Sequence, residues 1–160
     1  MKYHVIIFGW NCEQFVKGCL ESVNAQKFKD FKVTVIDDGS TDSTCTEILK
    51  HSPLLWDIVV NAENKGGFYN FDTVSRSSDC EILIPMALDD IMLPNALERI
   101  DKEYQKGVWM TYGTWINKDG AVYKDLHYSE EIHKNRDYRK DTLDRKSTRL
   151  NSSHVSESRM

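Results

Sequence analysis

Short apolar runs alternate with segments of helical periodicity along the first hundred residues of the chain. The apolar runs are continuous, as is typical of parallel strands that are covered on both faces. Between the first two runs, apolar side chains recur at helical spacing. The pattern predicts an α/β domain in which helices flank a mostly parallel sheet. The predicted strands are 2–8, 33–36, 56–60, 81–86 and 108–117, and the predicted helices are 12–23, 42–51, 68–77 and 95–106.

Two of the predicted strands are followed directly by acidic pairs. Asp37 and Asp38 follow the second strand, and Asp89 and Asp90 follow the fourth. Parallel strands joined by right-handed crossovers have their carboxyl ends at one sheet edge, where open α/β sheets bind ligands. Carboxylates that converge there repel each other unless a hard cation such as magnesium or manganese, or a hydrogen-bonding ligand, offsets the repulsion. We therefore predict a ligand site at this edge rather than surface acids that only flank helix starts.

The loop 9–11 follows the first strand and is expected at the same edge. Trp10 in this loop is either a packed aromatic or, in a ligand cleft, a side chain that stacks on a flat base. Asn11 is the predicted cap of the first helix, and Ser40 or Thr41 is the predicted cap of the second.

Composition and charge exclude several classes of protein. The chain has 160 residues, 40% of them hydrophobic, which suits one globular domain. A net charge of -4 without a basic stripe argues against a nucleic-acid surface. The four cysteines lack zinc-site spacing, so reduced thiols are expected. Neither a signal peptide nor an apolar run of about 20 residues is present, so we expect a cytoplasmic protein without a transmembrane segment.

The last stretch, 144–160, is basic, serine-rich and without hydrophobic periodicity. Residues 144–154 match the in-frame translation of a widely used sequencing-library adapter, so we interpret 144–160 as a non-native, disordered tail. Without this stretch, 17 basic and 23 acidic residues remain, a net charge of -6. We expect residues 1–143 to be a single domain that is truncated at its C-terminus.

Several stretches of the chain resemble glycosyltransferase family 2, which has the GT-A nucleotide-sugar-binding fold. The stretches are VIIFGWN, CLESVNAQKFKDFKVTVIDDGSTDST, ENKGG and LDDIMLPNALE, and the resemblance extends from residue 1 to at least residue 120. The resemblance implies a Rossmann-like domain in which helices flank a mostly parallel sheet.

The family's motifs assign roles to particular residues of this chain. The resemblance implies that Asp38 binds the base of the donor, that Trp10 packs against it, and that Phe8 and Gly9 belong to the same donor site. Asp89 corresponds to the last aspartate of the family's D-x-D motif, which binds the divalent ion and the donor diphosphate, and Asp90 is the second choice as metal ligand. Two positions depart from the family: Ala87 replaces the first aspartate of that motif, and Phe8 replaces a proline.

The implied activity is the inverting, Mn- or Mg-dependent transfer of a sugar from a nucleotide-diphosphate sugar. A UDP-sugar is the expected donor, the acceptor is a glycan, lipid or polysaccharide of the cell envelope, and the location is the cytoplasm or the inner face of the membrane. The catalytic base is unassigned, and the fragment itself is expected to be inactive.

Two alternatives belong to other classes. A non-catalytic nucleotide-binding module would explain Ala87. An aspartyl phosphatase or a receiver domain would need acidic motifs after the first strand that this sequence lacks. The carboxylates available as a base beyond the fourth helix are Asp125, Glu130, Glu131 and Asp137.

Overall fold

The computed structural model describes residues 1–108 and 111, and residues Met1–Thr111 form one compact unit. Its elements are β1 (Tyr3–Gly9), α1 (Glu13–Asn24), β2 (Phe31–Asp37), α2 (Thr44–His51), β3 (Asp57–Val60), α3 (Gly67–Ser77), β4 (Ile82–Ala87) and α4 (Ala96–Tyr104). The first four strands and the four helices predicted from periodicity are confirmed, with shifted bounds. The predicted strand 108–117, the four candidate base carboxylates and the tail 144–160 lie wholly or mostly outside the described residues.

The four strands form one parallel sheet in the order β3-β2-β1-β4. In the register of this sheet, Gly9 lies opposite Asp37, Phe8 lies opposite Ala87, and Asp37 lies opposite Val60. The carboxyl ends of all four strands are therefore level. The chain moves outward from β1 to β2 and β3 and then returns to the other side of β1, so a topological switch point lies between β1 and β4.

Each face of the sheet is covered by helices. On one face, the buried stripe of α1 packs against β1 and β2, together with Ile48 of α2 and Leu97 of α4. The stripe consists of Val16, Cys19, Leu20 and Val23, all fully buried. On the other face, the ring of His4 in β1 hydrogen-bonds to the hydroxyls of Thr34 in β2 and Ser78 beyond α3, each at 2.8 Å.

The predicted helix caps are wrong. The N-cap residues, Cys12 for α1 and Ser43 for α2, make no side-chain cap hydrogen bond. Asn11 has a φ of 49°, in the left-handed region, and its side-chain oxygen accepts a hydrogen bond from the Thr41 backbone at 2.8 Å. The Ser40 hydroxyl in turn accepts a hydrogen bond from the Asn11 backbone at 2.9 Å. These side chains join the two loops to each other instead of capping the helix that each precedes.

Within residues 1–108 and 111, no helix combines the length and the hydrophobicity needed to cross a membrane.

Candidate functional site

The side chains of Asp37 and Asp38 leave β2 on opposite faces of the sheet, because consecutive residues of an extended chain alternate. Asp37 is 1% exposed, and its carboxylate accepts a hydrogen bond from the Ser40 backbone on the α2 side. Asp38 is 3% exposed and contacts the segment that precedes α3. The first acidic pair is therefore two separate carboxylates, each held by backbone N–H groups.

Asp38 anchors the loop 61–66. One carboxylate oxygen accepts hydrogen bonds from the Asn61 amide at 2.8 Å and the Lys65 backbone at 2.9 Å, and the other accepts one from the Gly66 backbone at 2.8 Å. A carboxylate offers about four acceptor positions; three accept these hydrogen bonds, and the Asn70 side-chain amide interacts with the carboxylate as well. Burial raises the pKa of the Asp38 carboxyl, but the side-chain amides of Asn70 and Asn61 and the two backbone N–H groups outweigh it and lower the pKa.

The turn at Gly39 brings this loop against β2. Gly39 has a φ of 72°, and a Cβ there would lie 2.5 Å from the backbone carbon of Glu63. Only glycine combines the left-handed conformation with this close approach. The glycine of the DDGSTD segment therefore determines where the loop that contacts Asp38 lies.

The end of β1 is bonded to both acidic segments. The Phe8 carbonyl accepts a hydrogen bond from the Leu88 backbone at 3.0 Å, and the Gly9 carbonyl accepts one from the Asp38 backbone at 2.9 Å. Trp10 follows immediately and is 51% exposed. The loop after β1 thus lies at the carboxyl edge of the sheet, as predicted, with an aromatic ring available to a ligand.

Phe8 points to the opposite side from the core helices. A Cβ on Gly67 would lie 2.7 Å from the Phe8 ring, so the start of α3 packs directly on this ring. Next to this contact, the Lys65 ammonium lies 5.1 Å from the centre of the Tyr69 ring in α3, within the range of a cation–π contact. Phe8 is therefore a partly buried packing residue beside the site.

Asp89 and Asp90 lie in the turn after β4. The turn is closed by a hydrogen bond of 3.1 Å from the Asp90 backbone to the Ala87 carbonyl. Asp89 is exposed, and Asp90 is partly buried. Among the described residues, no three His, Cys, Asp or Glu side chains are grouped closely enough to hold a metal ion by themselves.

Sequence reasoning missed two polar residues of α1 and its C-terminal end that contact the segment after Asp90. The Ser22 hydroxyl accepts a hydrogen bond from the Met92 backbone at 2.9 Å. The Gln26 amide donates to the Leu93 carbonyl at 3.0 Å and is 1% exposed. The burial of Gln26 carries no signal in the local sequence, because two of its partners, Leu93 and Leu97, lie about seventy residues away.

The predicted residues lie at the carboxyl edge of the sheet, on both sides of the switch point. Trp10 follows β1 and Asp89 follows β4, the two strands between which the order of the sheet reverses. Asp38 follows β2, the strand that lies on the other side of β1 from β4. This arrangement of a parallel sheet, flanking helices and loops at the carboxyl edge is that of a Rossmann-like α/β domain.

The chain belongs to glycosyl transferase family 2, whose model matches residues 4–156. The GT-A fold of that family is the fold described above. The match extends beyond residue 143, and the adapter interpretation of 144–160 stays a prediction.

Similar proteins support this assignment. An uncharacterized glycosyltransferase of Nostoc sp. is 28% identical over 109 residues, which cover 66% of this chain and 33% of the relative. The Escherichia coli protein WfgD, a UDP-Glc:α-D-GlcNAc-diphosphoundecaprenol β-1,3-glucosyltransferase, is 25% identical over 123 residues, covering 75% of this chain and 49% of WfgD. The crystal structure of S. aureus TarS superposes with a TM-score of 0.60 and 25% identity over 66% of this chain and 20% of TarS. The chain spans between a fifth and a half of these proteins.

Proposed function

We propose that this chain is the donor-binding part of a glycosyltransferase that transfers a sugar from a nucleotide-diphosphate sugar to a glycan, lipid or polysaccharide acceptor. The observation that carries the proposal is the pair of loops at the switch point, with an exposed Trp10 after β1 and an exposed Asp89 after β4. An aromatic face and a carboxylate on two sides of one crevice suit the two ends of a nucleoside diphosphate. The name of WfgD gives UDP-glucose as its donor and a lipid-linked sugar as its acceptor.

The base of the donor is proposed to lie between Trp10 and Asp38. An exposed indole provides a flat surface for stacking, which is worth about 1–3 kcal/mol for a nucleic-acid base. The Asp38 carboxylate is the proposed acceptor for a base N–H, which would take the place of its interaction with the Asn70 side-chain amide while the loop 61–66 occupies the other positions. A base with an N–H donor on its edge, such as uracil, fits this acceptor.

The diphosphate is proposed to be held through a divalent cation at Asp89, with Asp90 as the second ligand. Mg²⁺ usually takes one or two carboxylates and completes its shell with water and substrate phosphates. Two adjacent aspartates in an open turn fit that pattern, whereas a closed protein cage would need more side chains than are grouped here. When bound, the cation supplies a positive charge that stabilises the leaving nucleoside diphosphate.

The reaction is proposed to be an inverting displacement. The acceptor hydroxyl attacks the anomeric carbon from the side opposite the diphosphate, the bond from that carbon to the diphosphate oxygen breaks and releases the nucleoside diphosphate, and a carboxylate takes the hydroxyl proton. No residue within 1–108 and 111 is assigned as this base, and the candidates Asp125, Glu130, Glu131 and Asp137 lie outside the described residues.

Isothermal titration of the chain with UDP, with and without Mn²⁺, tests the donor site. We expect Mn²⁺ to tighten UDP binding, Asp89→Asn to remove this gain, and Trp10→Ala to weaken UDP binding about 5- to 150-fold with or without the ion. Asp57→Asn and Leu55→Ala are matched controls. Asp57 begins β3 and therefore lies at the amino ends of the strands, away from the carboxyl edge of the sheet. Leu55 is an exposed apolar side chain just before it.

A chain that is folded by circular dichroism but binds neither UDP nor GDP with Mn²⁺ or Mg²⁺ would overturn the proposed donor site. Equal losses in the control variants would show that the effects are not local to the switch point.

A binding-only module is the second candidate, and Ala87 is the observation that favours it. Ala87 ends β4 where the family has an acidic residue, so one carboxylate of the D-x-D motif is missing. The release of free sugar or UDP from a UDP-sugar distinguishes the enzyme from the binding-only module. It is measured with the wild-type chain and with the Ala87→Asp variant. Turnover by either form supports the enzyme, and tight binding without turnover in both supports the binding module.

A further inference from the structure

Two polar residues, Ser22 in α1 and Gln26 just after it, hold the segment that follows the acidic turn. The Ser22 hydroxyl accepts the Met92 N–H at 2.9 Å. The Gln26 amide nitrogen donates to the Leu93 carbonyl at 3.0 Å, and its oxygen accepts the Leu97 N–H at 3.3 Å. Gln26 also donates to the Ser22 carbonyl at 3.1 Å, so the two residues form one hydrogen-bonded unit.

The beginning of the same segment is fixed by the same face of α1. The Cys19 thiol lies 3.7 Å from the Ala87 carbonyl, and Leu88 is fully buried. A Cβ on Gly18 would lie 3.2 Å from the end of the Ile91 side chain, so the segment passes close to the helix at this point. Cys19 and Ser22 are three residues apart and therefore share one face of α1, and Gln26 lies just beyond the end of the helix.

Asp89 and Asp90 are thus enclosed between two attachments to α1. Ala87 is held on one side and Met92 on the other, so only four residues span the gap. A short segment fixed at both ends has few alternative conformations, and this presets the position of its carboxylates. Ligands that must meet a cation at about 2 Å lose affinity when such a support is removed.

We propose that Ser22 and Gln26 are positioning residues for the carboxylates of Asp89 and Asp90. They do not touch the cation or the nucleotide. They set the turn that presents the two aspartates, and so determine the affinity for the divalent ion while the Trp10 side of the crevice is unaffected. The inference rests on the proposed cation site at Asp89.

The test is the affinity of the UDP-saturated chain for Mn²⁺, measured by the electron paramagnetic resonance of free Mn²⁺, together with UDP affinity in the absence of metal. Gln26→Met keeps the length of the side chain and removes its hydrogen bonds. We expect about tenfold weaker Mn²⁺ binding, with metal-free UDP affinity within about twofold of the wild type. Ser22→Ala should act in the same way, and Ser22→Thr, which keeps the hydroxyl, should restore Mn²⁺ binding.

Val23→Ala is the matched control for lost stability. Val23 is fully buried in the same helix and belongs to the stripe that packs on the sheet. We expect this variant to unfold more easily while its Mn²⁺ affinity stays that of the wild type. If Gln26→Met does not fold, the Ser22→Ala and Ser22→Thr pair decides the question.

The outcomes separate this inference from the proposed function. If Asp89→Asn loses Mn²⁺ while Gln26→Met and Ser22→Ala bind it like the wild type, the cation site stands and the positioning role is wrong. Equal weakening of metal-free UDP binding and Mn²⁺ binding would show a general structural role and also overturn it. If the folded wild type shows no metal-dependent UDP binding, the proposed site fails and the inference fails with it.

Discussion

Gly9 has no room for a side chain. A Cβ at this position would lie 2.5 Å from the Leu88 Cβ and 2.8 Å from the Cys12 sulfur. The Gly9 peptide is also bonded to the Asp38 backbone. One glycine therefore allows the loops after β1 and β4 to approach each other, and this proximity forms the proposed crevice.

We predict that Gly9→Ala lowers the free energy of unfolding by about 1–3 kcal/mol, because an added methyl group in a packed position forces its neighbours apart. Urea denaturation followed by circular dichroism measures this loss. Gly18→Ala is the matched control, since its Cβ would meet the end of the Ile91 side chain at 3.2 Å. That change should leave stability within about 1 kcal/mol of the wild type, because helix propensity favours alanine. Equal stability of Gly9→Ala and the wild type would contradict the close packing.

At the scale of elements, α1 and α2 cap each other. The Asp42 carboxylate accepts hydrogen bonds from the Glu13 backbone at 3.3 Å and the Thr44 backbone at 2.9 Å. In return, the Glu13 carboxylate accepts one from the Ser43 backbone at 2.8 Å, and the Thr44 hydroxyl accepts one from the Cys12 backbone at 2.8 Å. We call Glu13, Asp42 and Thr44 the reciprocal cap. It satisfies N–H groups that would otherwise be orphaned at two helix starts.

Asp42→Ala removes acceptors from both helices at once. We therefore expect a loss of about 1–2 kcal/mol in the free energy of unfolding, although the residue is exposed. Urea denaturation measures the loss, and Asp30→Ala, at an exposed aspartate before β2, controls for the change in net charge. Similar effects of the two substitutions would argue that charge, and not the reciprocal cap, is responsible.

Periodicity could predict the helices and strands because it depends on which residues face the core along one element. The caps could not be predicted in this way. Asn11, Ser40 and Thr41 have side chains suited to capping, but the N–H groups of Asn11 and Thr41 each find their acceptor in the other loop.

At the scale of the whole molecule, the fold depends on ionised carboxylates. The pKa of Asp38 is lowered because hydrogen bonds outweigh the effect of burial, and this carboxylate connects β2 to the loop 61–66. The pKa of Asp101 is lowered by hydrogen bonds from Tyr3 and Lys2, which connect α4 to β1. Carboxylates thus join segments that are distant in sequence.

We expect the stability of the chain to fall on acidification. A carboxyl whose pKa is lower in the folded state stabilises the fold above its unfolded pKa, about 3.9 for aspartate, and this contribution disappears as pH falls through the folded pKa. The urea midpoint should therefore decrease between about pH 5 and 3. Asp38→Asn should lower the midpoint at pH 6 and flatten its decrease below pH 5, whereas Asp30→Asn should keep the wild-type slope. A midpoint of Asp38→Asn that depends on pH as steeply as the wild type would contradict this role.

The sequence by itself determined the class of fold and the sheet edge at which the acidic residues lie. Continuous apolar runs, helical stripes and acidic residues at strand ends are local patterns, and the connection rules of parallel sheets place those ends at one edge. The motifs around DDGSTD and LDD also indicated the family, which the comparison with the family model confirmed. These features depend on neighbours in the sequence and on general rules of chain topology.

Only the tertiary structure decided which groups meet at that edge. Asp37 and Asp38 separate because they lie on opposite faces of β2, and Asp38 is largely occupied by a loop that begins 23 residues later. Ser22 and Gln26 reach the segment that follows the acidic turn across about seventy residues of sequence. Such contacts depend on how the elements pack in three dimensions, and hydrogen-bond partners so distant in the chain leave no periodic signal in its sequence.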